Sequence, residues 1–244
     1  MAQQQEGIRP PALIHRGLLA LIIVLYEWRR IVFLAILLLL IIQIAQSVTN
    51  DFKIPDSTLT DIRSKYGDKA VDRVKTWQKL IDSNQGKSEH EKLELVNAFI
   101  NELQFVDDMT HWGKSDYWAT PIETLASSGG DCEDFSIAKY FTLRVLNVPE
   151  EHLRLTYVKS LTLNQAHMVL TYTNPPGTVP LVLDNLIHAI QPATQRTDLM
   201  PVYSFNAEGL WLAKQRGIGQ FLGAPERINL WQELLHRMQS LNGK

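Results

Sequence analysis

An α+β fold, N-terminal helices packed on an antiparallel sheet, is what this 244-residue sequence predicts, and three observations predict it. Up to about residue 148, apolar residues recur every three or four positions, the period of amphipathic helices. From Leu153 onward they alternate with polar ones, the period of half-buried strands. Between strand-like runs lies Asn174-Pro175-Pro176-Gly177, a strong turn signal that makes neighbours of the segments on either side. Helices first and an antiparallel meander second give an α+β domain rather than an alternating α/β one.

The elements follow in order. After a polar linker near Ser47 to Pro55, Asp56-Ser57-Thr58 offers capping oxygens to a helix through Leu59, Ile62 and Tyr66. Val71, Val74, Trp77, Leu80 and Ile81 mark the buried stripe of a second helix, broken at Asn84-Gln85-Gly86-Lys87. Ser88-Glu89-His90-Glu91 is a capping box for a third, with Leu93, Val96, Phe99, Ile100 and Leu103 inward. His90 falls on its solvated opening turn. Phe105 to Pro121 is irregular and aromatic, with Trp112, Tyr117 and Trp118 among Asp107, Asp108 and Asp116, a composition that suits the rim of a cleft as well as ordinary core packing. Pro121 opens a short helix, and a longer one runs from the Cys132 loop to Pro149. Strands are expected at Leu153–Val158, His167–Tyr172, Val179–Leu183, Val202–Phe205 and Leu210–Ala213, and an amphipathic helix over Pro225–Leu241 closes the chain.

Composition is that of an ordinary globular protein, 45% hydrophobic and 20% charged, with room for one sizeable domain. A net charge of −2 speaks against a general nucleic-acid binder. A single cysteine excludes an internal disulfide and makes a multi-cysteine zinc site improbable. The first 49 residues stand apart. Arg29-Arg30, the apolar run Ile31 to Ile42 and then Ala45-Gln46-Ser47 follow the order of a secretory signal peptide. With the upstream patch Leu18 to Tyr26, the same residues read alternatively as an uncleaved membrane anchor over 18–44. Both readings place the domain at 50–244 outside the cytoplasm. There, a free thiol is a hazard unless it has a task.

Cys132 lies in Gly129-Gly130-Asp131-Cys132-Glu133-Asp134-Phe135, at a loop-to-helix junction. A lone cysteine is ordinarily a small core residue, but Gly-Gly-Asp before it and Glu-Asp after it make no apolar socket. A helix start lowers a thiol's pKa, because free N–H groups and the macrodipole favour the thiolate. A cysteine nucleophile needs a base, and the base needs an orienter. His167 opens a strand, and Asp184 closes the next one across the Pro-Pro-Gly turn. Facing residues on neighbouring strands lie about 5 Å apart, so the pair can meet if the register allows. His188 is a second histidine near Asp184, and Asn185 is an alternative orienter.

Cysteine on a helix, then histidine and aspartate on successive strands, is the order of the papain-like and transglutaminase-like fold. Trp118-Ala119-Thr120-Pro121-Ile122-Glu123-Thr124-Leu125, the block Gly129 to Tyr140, and Ala166-His167-Met168-Val169-Leu170 resemble the bacterial transglutaminase-like cysteine proteinases. The likeness covers the chain from about residue 50, and the cysteine block is its most specific part. It implies a cysteine endopeptidase domain at 50–244 with Cys132, His167 and Asp184 as catalytic residues. It also implies Ca2+ held by acidic residues flanking the cysteine. On this sequence those match Asp131 and Glu133, with Asp134 a neighbour able to contribute, although acidic residues at a helix start also simply complement its dipole. Such a shell needs further oxygens, from backbone, water or the Asp107, Asp108 and Asp116 region. The resemblance further implies a periplasmic enzyme that cuts a large surface adhesin near its N-terminus, at a small-residue pair such as Ala-Ala, promoting biofilm dispersal. Its implied inhibitor is a cyclic-di-GMP-responsive inner-membrane receptor of LapD type. A transglutaminase-type acyltransferase would use the same three residues. A non-catalytic exported binding module and a peptidoglycan amidase or peptidase are the other readings.

Overall fold

The structure, a computed structural model, describes residues 26, 28–36, 52–214, 217–225 and 228–242. The chain divides into two compact units, 1–51 and 52–244. In the first, Tyr26 and residues 28–36 are helical and exposed. The expected export signal or anchor falls mostly on residues 18–25 and 37–47, which lie outside the described residues. No helix among the described residues is long and apolar enough to cross a membrane.

The second unit is α+β, helices followed by a seven-stranded antiparallel sheet. Helix α1 spans Asp56–Tyr66, starting at Asp56 itself, so Pro55 rather than an Asp or Ser side chain stands at its N-cap. Helix α2, Asp68–Ser83, buries Ala70, Val71, Val74, Trp77 and Ile81. Ser88 caps α3, Glu89–Ile100, in a reciprocal capping box with Glu91. Strand β1, Gln104–Phe105, precedes α4, Asp108–Trp112, a short helix inside the segment expected to be irregular. Helix α5, Pro121–Ser127, carries a second capping box, Thr120 with Glu123. Strand β2, Gly129–Gly130, pairs in parallel with β1 and leads into α6, Cys132–Val145.

The sheet contains β3 (Leu153–Ser160), β4 (Gln165–Tyr172), β5 (Leu181–Leu183), β6 (Gln191–Pro192), β7 (Leu199–Phe205), β8 (Leu210–Lys214) and β9 (Gly217–Gly223). Its order is β6-β5-β4-β3-β7-β8-β9. It is therefore two meanders sharing β3 as their centre, not the single run that alternation suggested. Met168, Leu170 and Leu183 join the main core with α2, α3 and α6, while Val158, Val169 and Val182 form a smaller cluster. That is what a period of two demands of neighbouring strands. Helix α7, Asn229–Asn242, buries Trp231 and Leu234. Trp231 packs edge-on to Tyr140 and Phe205 and stacks on Phe141, tying the chain's end to α6. Helix α6 is the element that matters most, since its packing against β4 and β3 fixes where its first residue, Cys132, sits.

Candidate active site

Cys132 is the first residue of α6. Asp131 is the N-cap, its side chain accepting from the Glu133 N–H, so the helix start is held by the residue before the thiol. Four residues on, the Ser136 hydroxyl donates to the Met168 carbonyl at 3.0 Å, pinning this turn to β4. The Met168 backbone N–H reaches the Cys132 sulfur from the same strand. The residue beside His167 thus touches the thiol.

His167 and Asp184 are both buried, and Nε2 of the ring lies 2.8 Å from Asp184 Oδ1. The register pairs Leu170 with Leu183, which places Asp184 one step further along β5 toward the His167 end of β4. With Nε2 engaged by the carboxylate, Nδ1 is the ring nitrogen left to accept a proton. Asp184 Oδ1 also accepts from the Leu186 N–H at 3.0 Å, and its Oδ2 accepts from Arg196 at 2.7 Å. Burial works to raise the Asp184 pKa, but His167, the Leu186 N–H and Arg196 outweigh it and hold the group at about 2. Asn185 is bypassed as orienter, and His188 is exposed, only its carbonyl engaged, by Asn97. His90 is exposed at the α3 start.

A different environment lies on the other side of Cys132. The carboxylates of Asp108, Asp131 and Asp134 bring oxygens within 4.8 Å of one another, and Asp131, Cys132 and Glu133 form a second such group. Asp134 is buried, accepting from the Ala119 N–H at 2.7 Å and from the Trp112 indole at 3.5 Å. Asp108 Oδ2 accepts from the Tyr117 N–H, while its buried Oδ1 has no partner. Gly130 makes the packing possible, since a Cβ there would lie 2.4 Å from Asp134 Oδ2. Burial, then the neighbouring carboxylates Glu133 and Asp134, pushes Asp131 up to about 9, and burial pushes Asp134 up to about 8. Asp116 is raised by burial and by Glu133. Asp107, by contrast, faces solvent and caps α4 through Thr110.

The thiol is drawn into this acidic field. Its sulfur donates to Glu133 Oε2 at 2.7 Å, and among the described residues no hydrogen bond joins it to His167. Burial, with Glu133 and Asp131 beside it, pushes the Cys132 thiol far above its ordinary range. The helix start was expected to lower it. In this structure burial, with two acidic neighbours, outweighs one helix dipole. The donor set is all oxygen, contains an unpartnered buried carboxylate oxygen, and is short of positive charge, so it fits a hard divalent cation.

Aromatic residues complete the surroundings. Tyr157 and Tyr203, partners in the β3–β7 register, stack at 5.0 Å within electrostatic reach of Glu133 and Asp116. Tyr117 lies under Lys114 and Arg237, and Trp112 tilts against it. Trp118 is not on a rim: it is buried, stacked on Phe205. Two buried cations were missed from the sequence. Arg196 sits in a polar stretch, Thr194-Gln195-Arg196-Thr197-Asp198, that looks like a solvated loop. Lys139 left a signal, being one charge in the apolar run Ile137 to Phe141, seven residues and two helical turns past Cys132.

Residues 66–213 match the family described as bacterial transglutaminase-like cysteine proteinase. Among solved structures, EGTA-treated LapG of Legionella pneumophila is 45% identical with a TM-score of 0.66, covering 75% of this chain and 96% of that one. Its calcium-bound form is 45% identical with a TM-score of 0.64, covering 75% and 98%. A comparison with curated proteins finds no match.

Proposed function

The chain belongs to the bacterial transglutaminase-like cysteine proteinases, and from that premise we propose that it is a LapG-like, calcium-dependent cysteine endopeptidase acting through Cys132, His167 and Asp184. The observation that carries the reading is the buried His167–Asp184 pair, 2.8 Å apart, with His167 on the strand whose next residue, Met168, is held by Ser136 one turn along α6 from Cys132.

The roles follow from position. His167 Nδ1 takes the thiol proton as the sulfur attacks a peptide carbonyl, and returns it to the leaving amine; water then hydrolyses the thioester by the same base. Asp184 holds the ring in the Nε2–H tautomer and stabilises the imidazolium. The Cys132 backbone N–H, at the first position of α6, is the proposed oxyanion donor. Asp131 and Glu133 are the proposed calcium ligands, with Asp134 and Asp108 behind them. The bound ion supplies the positive charge that offsets the carboxylates around the thiol. Glu133 then has a better partner than the S–H, which frees the sulfur for His167.

The proposed substrate is a large surface adhesin, cut near its N-terminus at a small-residue pair, so that the adhesin is released and biofilm disperses. The proposed compartment is the periplasm, reached through the N-terminal segment, and the proposed regulator is an inner-membrane cyclic-di-GMP receptor that sequesters the enzyme. The test is to mix the protein with the N-terminal region of such an adhesin, with and without a calcium chelator, beside Cys132→Ala. Cutting that the chelator and the variant both abolish is the expected result. Cutting indifferent to the chelator would remove calcium from the account. Amine incorporation in place of hydrolysis would make the protein an acyltransferase.

A further inference from the structure

Resting on the proteinase reading above, we propose that Arg196 is a positioning residue of the site: it clamps the far oxygen of Asp184 so that the near one faces His167 Nε2. The Nε–Nη2 edge of the guanidinium is fully engaged, while Nη1 is buried without a partner. The Arg196 side chain is buried, and its Nη2 donates to Asp184 Oδ2 at 2.7 Å and to Asp198 Oδ2 at 2.8 Å. Its Nε donates to Asp198 Oδ1 at 2.9 Å, so the guanidinium edge meets Asp198 in a fork and keeps a donor for Asp184.

The loop that carries Arg196 is itself tied down. The Arg196 N–H donates to Ala193, the Leu199 N–H to Arg196, and the Leu161 N–H to the Asp198 carbonyl at 2.7 Å. Asp184 therefore has each oxygen assigned: Oδ1 to His167 and the Leu186 N–H, Oδ2 to Arg196. A carboxylate free to rotate would present either oxygen, or neither, to the imidazole. Charged and titratable groups facing Asp184 come from three elements: His167 on β4, Lys139 on α6, and Arg196 with Asp198 on the loop before β7. Lys139, which burial pulls down to about 7, makes no directed hydrogen bond to Asp184, which leaves the orienting task to Arg196.

A lysine at 196 keeps a cation but has no planar fork, and so cannot hold both aspartates in the same geometry. The test uses the full chain and two variants, Arg196→Lys and Arg196→Met. Three quantities are read: melting temperature, kcat and KM for adhesin cleavage, and the His167 ring tautomer by 15N NMR. A folded Arg196→Lys is expected to lose about tenfold or more in kcat, with KM changed less than about twofold. Its His167 should also show Nδ1–H beside the Nε2–H form, which is expected alone in the parent. Arg196→Met should show both effects more strongly where it folds. A folded Arg196→Lys with full kcat and a single Nε2–H tautomer would overturn the proposal. The NMR readout needs no turnover, so a parent protein that cuts no adhesin would sink the proteinase reading while the tautomer still decides the role of Arg196.

Discussion

Asp134 and Asp184 are two aspartates in one domain, 0% and 1% exposed, yet their pKa values are pushed in opposite directions. Asp134 is surrounded by neutral donors and by other carboxylates, and sits at about 8. Asp184 is surrounded by His167, Arg196 and the Leu186 N–H, and sits at about 2. Burial raises both, so the partners decide. Cys132 lies between the two regions. On the His167–Asp184 side the chain supplies its own counter-charge. On the acidic side it supplies oxygens and leaves the positive charge to a ligand.

The largest expected effect isolates the two sides. Cys132→Ala should lower cleavage by about 10⁴-fold or more while calcium affinity stays near the parent's, since the thiol is chemistry and the carboxylates are the site. Loss of calcium binding in that variant would tie the two regions together and break the comparison.

Stability against pH should separate them next, because the signs are opposite. For Asp184 the folded value lies below the unfolded one near 3.8, so its contribution is present above about pH 4 and is lost as pH falls toward 2. It amounts to about 2 kcal/mol, and Asp184→Asn should flatten that acid limb in a melting series. For Asp134 the folded value lies above the unfolded one. The folded state then binds the extra proton between about pH 4 and 8, and chelated protein loses stability as pH rises through that window. Calcium should remove much of the decline, and Asp134→Asn in chelated protein only its own share, since Asp131, at about 9, contributes with the same sign. A chelated protein that gains stability from pH 5 to 8 would contradict the assignment.

Smaller effects sharpen the acidic side. Gly130→Ala puts a Cβ against Asp134 and should cost about 1–3 kcal/mol, with weaker calcium binding measured in the same sample. The neighbouring Asp107 and Asp108 give the finest contrast. Asp107→Ala removes the α4 cap and should lower the melting temperature slightly while leaving calcium affinity alone. Asp108→Asn touches the carboxylate cluster and should weaken calcium binding.

The same contrast shows what was legible in the sequence. Helix stripes such as Val71, Val74, Trp77 and Ile81, and the Ser88–Glu91 box, are local patterns, and they were readable. So was the place of Cys132 at the first position of α6, whereas His167 is the third residue of β4 rather than its first, and Asp184 lies just past β5. Strand β6 was not, since two residues carry no period, nor was β9, where three glycines dilute the alternation. The β3–β7 pairing that makes β3 the centre of the sheet is long-range and leaves no local mark. Arg196 hid for the same reason: it is a polar-loop residue until the fold closes over it. The thiol's charge state was misjudged because a helix start with Asp131, Glu133 and Asp134 looks like a solvated dipole complement. Burial, which the sequence does not display, turns those carboxylates into a crowd.

The most direct test of the account is calcium titration calorimetry near pH 7 in two buffers of different ionisation enthalpy. Asp131 and Asp134 carry protons when the site is empty, at about 9 and 8, and must release them to a cation. The account predicts tight 1:1 binding whose apparent heat differs between the buffers by the enthalpy of about one to two protons released. Binding with no proton release, or no binding by folded protein, would contradict it.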